Sequence, residues 1–291
     1  MNKVGLVIVN YNRGSLVSSI VDTFSQYNII DEIIVVDNCS TDDSRNILKK
    51  CERGKVKCLI LDVNIGYAKG NNVGLSWLRK EKQCDYCFIV NPDVFFEENV
   101  IKSVVEAFEY NPNYAIITTA RIDPMASTPQ IQYTTRVFDT FWLQFLSYFN
   151  FVRHYYLLKK YGVYEYNKKD TSMKEIGVAP GSFYGIRIGA FPNGIVLDEG
   201  TFLYGEEDLL AKKCQLMNLK IGYLPYVVYE HRHIQYSTTL SKKSITPIKY
   251  AMQSKRYFQK KYLRLGSLQK IMLIMGEKIS IAERMAIMWF R

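Results

Sequence analysis

At 291 residues, 48% apolar and 14% aromatic, the chain can bury a large core and is too hydrophobic for disorder. Six scattered cysteines in no repeating frame exclude a disulfide-stapled scaffold and suit reduced thiols in a cytosolic setting. The net charge of +10 is unevenly placed: residues 231–291 hold 13 Lys/Arg against 2 Asp/Glu, and the first 230 hold 25 against 26. A basic end suits nucleic acid or an anionic membrane surface, and the near-neutral body with its acidic strand ends argues against nucleic acid.

VGLVIV follows the first residues with no basic leader or cleavage site, so no signal peptide is expected. GLVIVNYN reads as a first strand, followed by a helix from about Ser15 to Tyr27. DEIIVVDNCS is a second strand with a polar end, and Asp42 to Cys51 is the next helix. VKCLILDVN is the third strand, with a helix from near Gly70 to about Lys80. YCFIVNPDV is the fourth; a helix over Glu98–Glu109 leads to a fifth, YAIITT. Continuously apolar strands separated by helices predict a mostly parallel twisted sheet covered on both faces. Ligands of such sheets sit at the carboxyl ends of the strands, where VNYN, VDN, DVN and NPD all fall. Cys84 and Cys87 have C-x-x-C spacing, but no second pair completes a zinc site and Cys87 opens an apolar run, so the pair reads as core.

Residues 121–175 change character, with FDTFWLQFLSYFNF and then RHYYLLKKYGVYEYNKK. They read as a partly buried helical hairpin or as an acceptor-binding or membrane-facing insertion. The longest uncharged run, Thr140 to Val152, is shorter than the roughly 20 residues of a spanning helix. From Gly177 a strand (GVAPGSFYGIRI), a capped helix (FLYGEEDLLAKKCQLMNL) and another strand (KIGYLPYVVYEHRH) follow, and after Ser241 the chain is helical, basic and amphipathic. The organisation is thus residues 1–240 as one α/β domain (1–120, an insertion over 121–175, and 176–240) and 241–291 as a helical extension.

Four polar clusters converge at strand ends, and two further candidates lie far along the chain. The first cluster is VNYN (Val9 to Asn12), a strand running straight into a loop of hydrogen-bonding side chains. Asp37 can accept bonds from a nucleobase imide or a ribose hydroxyl; it could instead cap the next helix, a task Asp42 fits better. Gly66, Gly70 and Gly74 surround Asn71 and Asn72 and would let backbone amides approach an anion. Asp93, after a buried strand and a proline, would combine with a diphosphate into an oxygen-rich site for Mg²⁺ or Mn²⁺, or would cap the helix after it. Glu206, Glu207 and Asp208 repel one another, and crowding raises the basicity of at least one. His231 ends an apolar strand and is a ligand candidate, although a lone histidine is more often structural.

In this order, VIVNYN, IIVVDNCSTD, NIGYAKGNNVG, FIVNPDV, PGSFYGIR, FLYGEEDLLAKK and IGYLPYVVYEH resemble family 2 glycosyltransferases of the GT-A fold, especially the rhamnosyl- and galactofuranosyl-type branch. The resemblance covers residues 3 to about 237 and implies an inverting, metal-dependent transfer from a UDP- or dTDP-sugar to a saccharide or lipid-linked acceptor in surface polysaccharide assembly. It implies a donor site of Val9, Asn10, Asn12, Asp37, Asn38, Gly66, Lys69, Asn72 and Asn91, with Asp37 and Asn38 on the nucleobase. Asp93 would be the second acid of the family's D-x-D, whose first position is Asn91 here, and His231 a further ligand of the divalent cation. Glu206 and Glu207 match the family's Glu-Asp pair, so Glu207 would be the general base, with Asp208 the rival one residue on. The expected place of work is the cytoplasm, peripheral on the inner face of the plasma membrane, with a homo-oligomer left open. A second class of reading, a catalytically weak scaffold subunit of a polysaccharide-assembly complex, is motivated by Asn91. A nicotinamide-dependent enzyme is excluded, because VNYNRG stands where G-x-G-x-x-G would be.

Overall fold

The computed structural model describes residues 2–124, 131–164, 169–232 and 245–290. Its first half is β1 (Val4–Asn10), α1 (Gly14–Phe24), β2 (Glu32–Asp37), α2 (Ser44–Cys51), β3 (Val56–Ile60), α3 (Tyr67–Lys80), β4 (Tyr86–Val90), β5 (Val94–Phe95), α4 (Glu98–Tyr110) and β6 (Tyr114–Ile122). Then come β7 (Ile131–Thr134), α5 (Phe141–Leu146), α6 (Asn150–Val152), a π-turn over Arg153–Leu157, α7 (Leu158–Tyr161), β8 (Gly162–Tyr164) and β9 (Lys174–Ile176). β10 (Phe183–Arg187), α8 (Glu206–Leu216), β11 (Lys220–His231), α9 (Thr246–Tyr262) and α10 (Ser267–Phe290) complete the chain. The expected 240/241 boundary, and parts of the 121–175 insertion, lie outside the described residues.

Among the described residues the main sheet has nine strands, ordered β3-β2-β1-β4-β10-β6-β11-β5, with β9 beside β11. β1, β2, β3 and β4 pair in parallel, as do β6 and β11. Alternate side chains of each central strand enter opposite cores, which is why these strands are apolar throughout. Leu6, Ile8, Ile33, Val35 and Phe88 pack under α1, α2 and α4. Val7, Ile34, Val36, Cys87 and Ile89 pack under α3 and α8, and Cys84 and Cys87 are buried in this second core. β10 departs from the parallel pattern: it runs antiparallel between β4 and β6. It therefore delivers its amino end, the segment Pro180–Ser182, to the edge where the parallel strands deliver their carboxyl ends. Asn91 N–H donates to Ser182 O there (2.9 Å).

The last two helices are packed elements. Ile248 and Met252 of α9 and Leu273 of α10 cluster with Tyr148, against Phe141 and Phe145 of α5. Phe258 joins the core beneath α3 and α8. No helix among the described residues is long and apolar enough to cross a membrane.

Candidate functional site

The parallel pairing of β1 and β2 sets Asn10 beside Asp37. Asn10 Nδ2 donates to Asp37 Oδ1 (2.7 Å) and to Ser40 Oγ (3.0 Å), Ser40 N–H donates to Asp37 Oδ2 (3.0 Å), and Arg45 Nε stands 3.6 Å away. Both Asn10 and Asp37 are 0% exposed. Asp37, expected on the nucleobase, is thus turned behind its loop and orders it, because a wholly buried carboxylate needs those partners. The exposed side of the loop is formed by Tyr11, Asn12 and Thr41, with Asn12 and Thr41 exchanging hydrogen bonds (2.8 and 3.1 Å). Asn12 (φ 56°) and Cys39 (φ 64°) hold left-handed backbone here, a conformation rare outside glycine and kept where its surroundings dictate it.

Asn38 bridges to the start of α3: its Nδ2 donates to Gly66 O (3.1 Å), and Ile65 N–H donates to its Oδ1 (2.9 Å). Gly66 has φ 85°, and a Cβ there would lie 2.5 Å from Phe202 O. Tyr67 N–H donates to that same carbonyl (2.8 Å), so backbone fastens this turn to the FLYGEED loop. The helix begins at Tyr67, three residues before the expected Gly70, because Gly66 supplies the sharp entry. Lys69 is exposed on its first turn, and the half-buried Val9 packs against Gly70. Asn72, expected at the donor, makes structural hydrogen bonds in this fold. Its amide nitrogen donates to Leu197 O (2.9 Å) and Glu199 Oε1 (3.0 Å), and its oxygen accepts from Leu197 N–H (3.0 Å).

After β4 the turn Asn91–Asp93 leads into β5, whose antiparallel register sets His231 opposite Val94. His231 Nε2 lies 3.1 Å from Asp93 Oδ1, and Arg13 Nη1 lies 3.5 Å from Asp93 Oδ2. Burial opposes ionisation of Asp93, but the His231 hydrogen bond and the charges of His231 and Arg13 hold its carboxyl below the usual range. Among the described residues no three acidic, histidine or cysteine side chains gather as a metal cage. One buried carboxylate and one imidazole, with oxygens from a diphosphate and water, do form a donor set suited to Mn²⁺ or Mg²⁺. The fit is that of a shared site.

Tyr67 links this turn to the acids of α8: its hydroxyl meets Asn91 Oδ1 (2.8 Å) and Gly181 O (2.6 Å). Tyr204 (φ 69°) and Gly205 (φ 80°) form two consecutive left-handed residues that aim the first turn of α8. Gly181 abuts Glu207; a Cβ there would stand 2.5 Å from Glu207 Oε1. Burial raises the Glu207 pKa, and the charge of Asp208 adds to this, while the amides of Glu207 itself, Gly181 and Gly205 favour the ionised form. Asp208 is exposed to solvent but hemmed in by protein; burial raises it against the pull of Arg153 and Lys255. Glu206 is buried and pushed up to about 8, by burial and then by the charge of Glu207.

Glu207 and Asp208 line a cavity of about 490 Å³, and Glu206 does not. Other walls come from Gln144 and Arg153, from Pro180 and Tyr204, and from Lys255 of α9 and Arg284 of α10. The sequence reading missed Arg13, Tyr67, Gly181 and this cationic group. Only Gly181 carried a local signal, the Pro-Gly before an apolar strand.

Residues 6–192 match the model of Glycosyl transferase family 2. The low-salt glycan biosynthesis hexosyltransferase Agl10 of Haloferax volcanii is 22% identical over 227 residues, which are 76% of this chain and 64% of that protein. This chain therefore matches less than two thirds of that relative's length. The mannosyltransferase PcManGT of Pyrobaculum calidifontis, solved with GDP-Man and Mn²⁺, superposes with a TM-score of 0.57 at 12% identity, over 98% of this chain and 75% of that one. S. aureus TarS residues 1–349, solved with UDP-GlcNAc, gives 0.56 at 15% identity, over 93% and 70%. At these identities the likeness to the solved structures establishes a shared fold.

Proposed function

Because the chain belongs to glycosyl transferase family 2 and has the GT-A fold, we propose that it transfers a sugar from a nucleoside-diphosphate sugar to an acceptor hydroxyl with inversion. The observation carrying this reading is Glu207, a carboxylate of raised basicity at the wall of a cavity, held between the Gly181 and Gly205 backbones. A sugar hydroxyl is a poor nucleophile near neutrality, so a base must take its proton as it attacks. The acceptor oxygen bonds to the anomeric carbon as the bond from that carbon to the diphosphate oxygen breaks. The proton passes to Glu207, and the nucleoside diphosphate leaves. One displacement inverts the centre.

On the donor side, the loop of Tyr11, Asn12 and Thr41 and the turn at Gly66 would hold the nucleoside, with Asp37 and Asn10 bracing the loop from behind. Asp93 and His231 would hold the divalent cation, which when bound neutralises charge on the departing diphosphate. Arg13, 3.5 Å from Asp93, would add a fixed positive charge beside the same oxygens. The neighbours' GDP-Man and UDP-GlcNAc support a nucleotide-sugar donor, and the hexosyltransferase relative supports a hexosyl group in glycan assembly. The motif set leans within that range towards rhamnosyl- or galactofuranosyl-type transfer.

The test is a panel of UDP-, dTDP- and GDP-sugars scored for diphosphate release with lipid-linked and soluble saccharide acceptors. With the donor found, Glu207→Gln should lower turnover by about 10²–10⁴-fold with donor affinity unchanged. If Glu207→Gln turns over normally and Asp208→Asn does not, the base is Asp208.

The same reading puts the enzyme at the cytoplasmic membrane surface. α10 exposes Leu268, Ile271, Ile274, Met275 and Ile279 beside Lys270 and Lys278, and Trp142, Phe151 and Tyr155 are exposed on neighbouring helices. Such a face suits the interfacial zone of an anionic bilayer. The side chains of 288–290, expected to extend it, lie outside the described residues. Co-sedimentation with anionic vesicles at low salt, weakening at high salt, supports it; indifference to anionic vesicles refutes it.

A further inference from the structure

The cavity that holds Glu207 also collects three cations from three distant segments: Arg153 of the π-turn, Lys255 of α9 and Arg284 of α10. Only Glu207 and Asp208 line it as acids. Among the described residues none of the three cations has a carboxylate within 4.0 Å. Asp208 acts on Arg153 and Lys255 from the same wall without a direct pair, Glu277 pairs with Arg256 (2.9 Å), and Glu283 accepts from Asn150 N–H (3.1 Å). Lys255 Nζ is instead held by Ser147 Oγ (2.6 Å) over the Tyr148 ring, 3.5 Å from its centroid. Burial and then the charge of Arg153 press the Lys255 pKa down to about 7, and burial with Arg153 lowers Arg284 too. Glu207 and Asp208 offset part of this charge without a direct ion pair, so the donors of all three cations are left open to the oxygens of an anion.

We propose that Arg153, Lys255 and Arg284 form an anion subsite for a phosphate or diphosphate ester on the acceptor, which orients the acceptor hydroxyl towards Glu207. This rests on the reading of that cavity as the acceptor site. Guanidinium forks and an ammonium are the donors that bind phosphoryl oxygens. Asp93 and His231 do not line this cavity, which assigns the subsite to the acceptor and not to the donor's diphosphate. Arg284 also sits on the helix whose outer face exposes Ile274, Met275 and Ile279, which favours a lipid as the carrier of the phosphate.

The test uses the whole chain without donor and with excess chelator, which silences metal-dependent binding at Asp93. Calorimetric titration is run with inorganic pyrophosphate and with geranyl diphosphate. Arg153→Gln, on an exposed turn where folding is not at stake, and Arg284→Gln should each weaken binding roughly tenfold or more. Asp93→Asn should leave it intact, and Glu207→Gln, which removes a negative charge from the same wall, should not weaken it. Tighter binding of geranyl diphosphate assigns a lipid carrier; equal binding assigns a soluble phosphorylated saccharide. No binding by the unaltered chain, affinity indifferent to both arginine variants, or affinity lost in Asp93→Asn overturns the subsite. Loss of turnover in Glu207→Gln beside such a result would leave the transfer reading standing and remove only this inference.

Discussion

Gly181→Ala isolates how finely Glu207 is held. The added Cβ would stand 2.5 Å from Glu207 Oε1 where ordinary contact begins at 3.4 Å, so the carboxylate must retreat by about 0.9 Å. Gly181 is not in the left-handed region, so alanine fits its backbone, and the clashing atom ends a flexible side chain. Unfolding free energy should therefore change by no more than about 1 kcal/mol. A reacting group misplaced by about 1 Å costs on the order of 100-fold in rate, or about 2.7 kcal/mol of transition-state stabilisation. Steady-state diphosphate release should show this loss in kcat with little change in donor KM, while thermal melting stays near that of the parent. In a Glu207→Gln background the same alanine should cost nothing further, since residues acting as a unit are non-additive. Full activity in Gly181→Ala, or an equal loss in both backgrounds, would refute the argument that this glycine exists to seat the base.

Asp93→Asn should weaken metal-dependent nucleotide binding by an order of magnitude or more, and excess chelator should abolish turnover; full activity in chelator removes Asp93 and His231 from any metal role. Glu206 is raised from 4.5 to about 8, so the stability of its protonated form is present below about pH 4.5 and lost as pH rises towards 8. Glu206→Gln should therefore raise the melting temperature more at pH 8 than at pH 5, and an equal shift at both refutes the buried-acid reading.

The sheet was largely legible because its strands are apolar on both faces and end in polar residues. VNYN, VDN and NPD emerge together at one edge, as parallel strands must. β10 was legible as a strand but not as an antiparallel one, since an apolar run carries no direction. The helix boundary at Gly66 was missed because a glycine three residues on offered a plausible start, and only the approach of Phe202 shows which glycine is needed. Asp37 and Asn72 carry loop-bracing hydrogen bonds that no local pattern announced, since a polar residue near a ligand edge is as easily spent on bracing a loop. Arg153, Lys255 and Arg284 are separated by about a hundred residues and then about thirty, and no local pattern announces that α9 and α10 fold back over the cavity.

That fold-back divides the molecule's inheritance. The family match ends at residue 192, whereas Tyr204, Gly205, Glu207, Asp208, Lys255, Phe258, Ser280 and Arg284 all contribute walls to the Glu207 cavity beyond it. The rest of its lining begins at Phe138, past the donor-side strands. On the proposed reading the donor side is drawn mostly from the first 120 residues, with His231 the late exception, and the acceptor side from residues 138 onward. A graft of α9 and α10 together with the 138–158 stretch is the unit that would carry one relative's acceptor onto another's donor half.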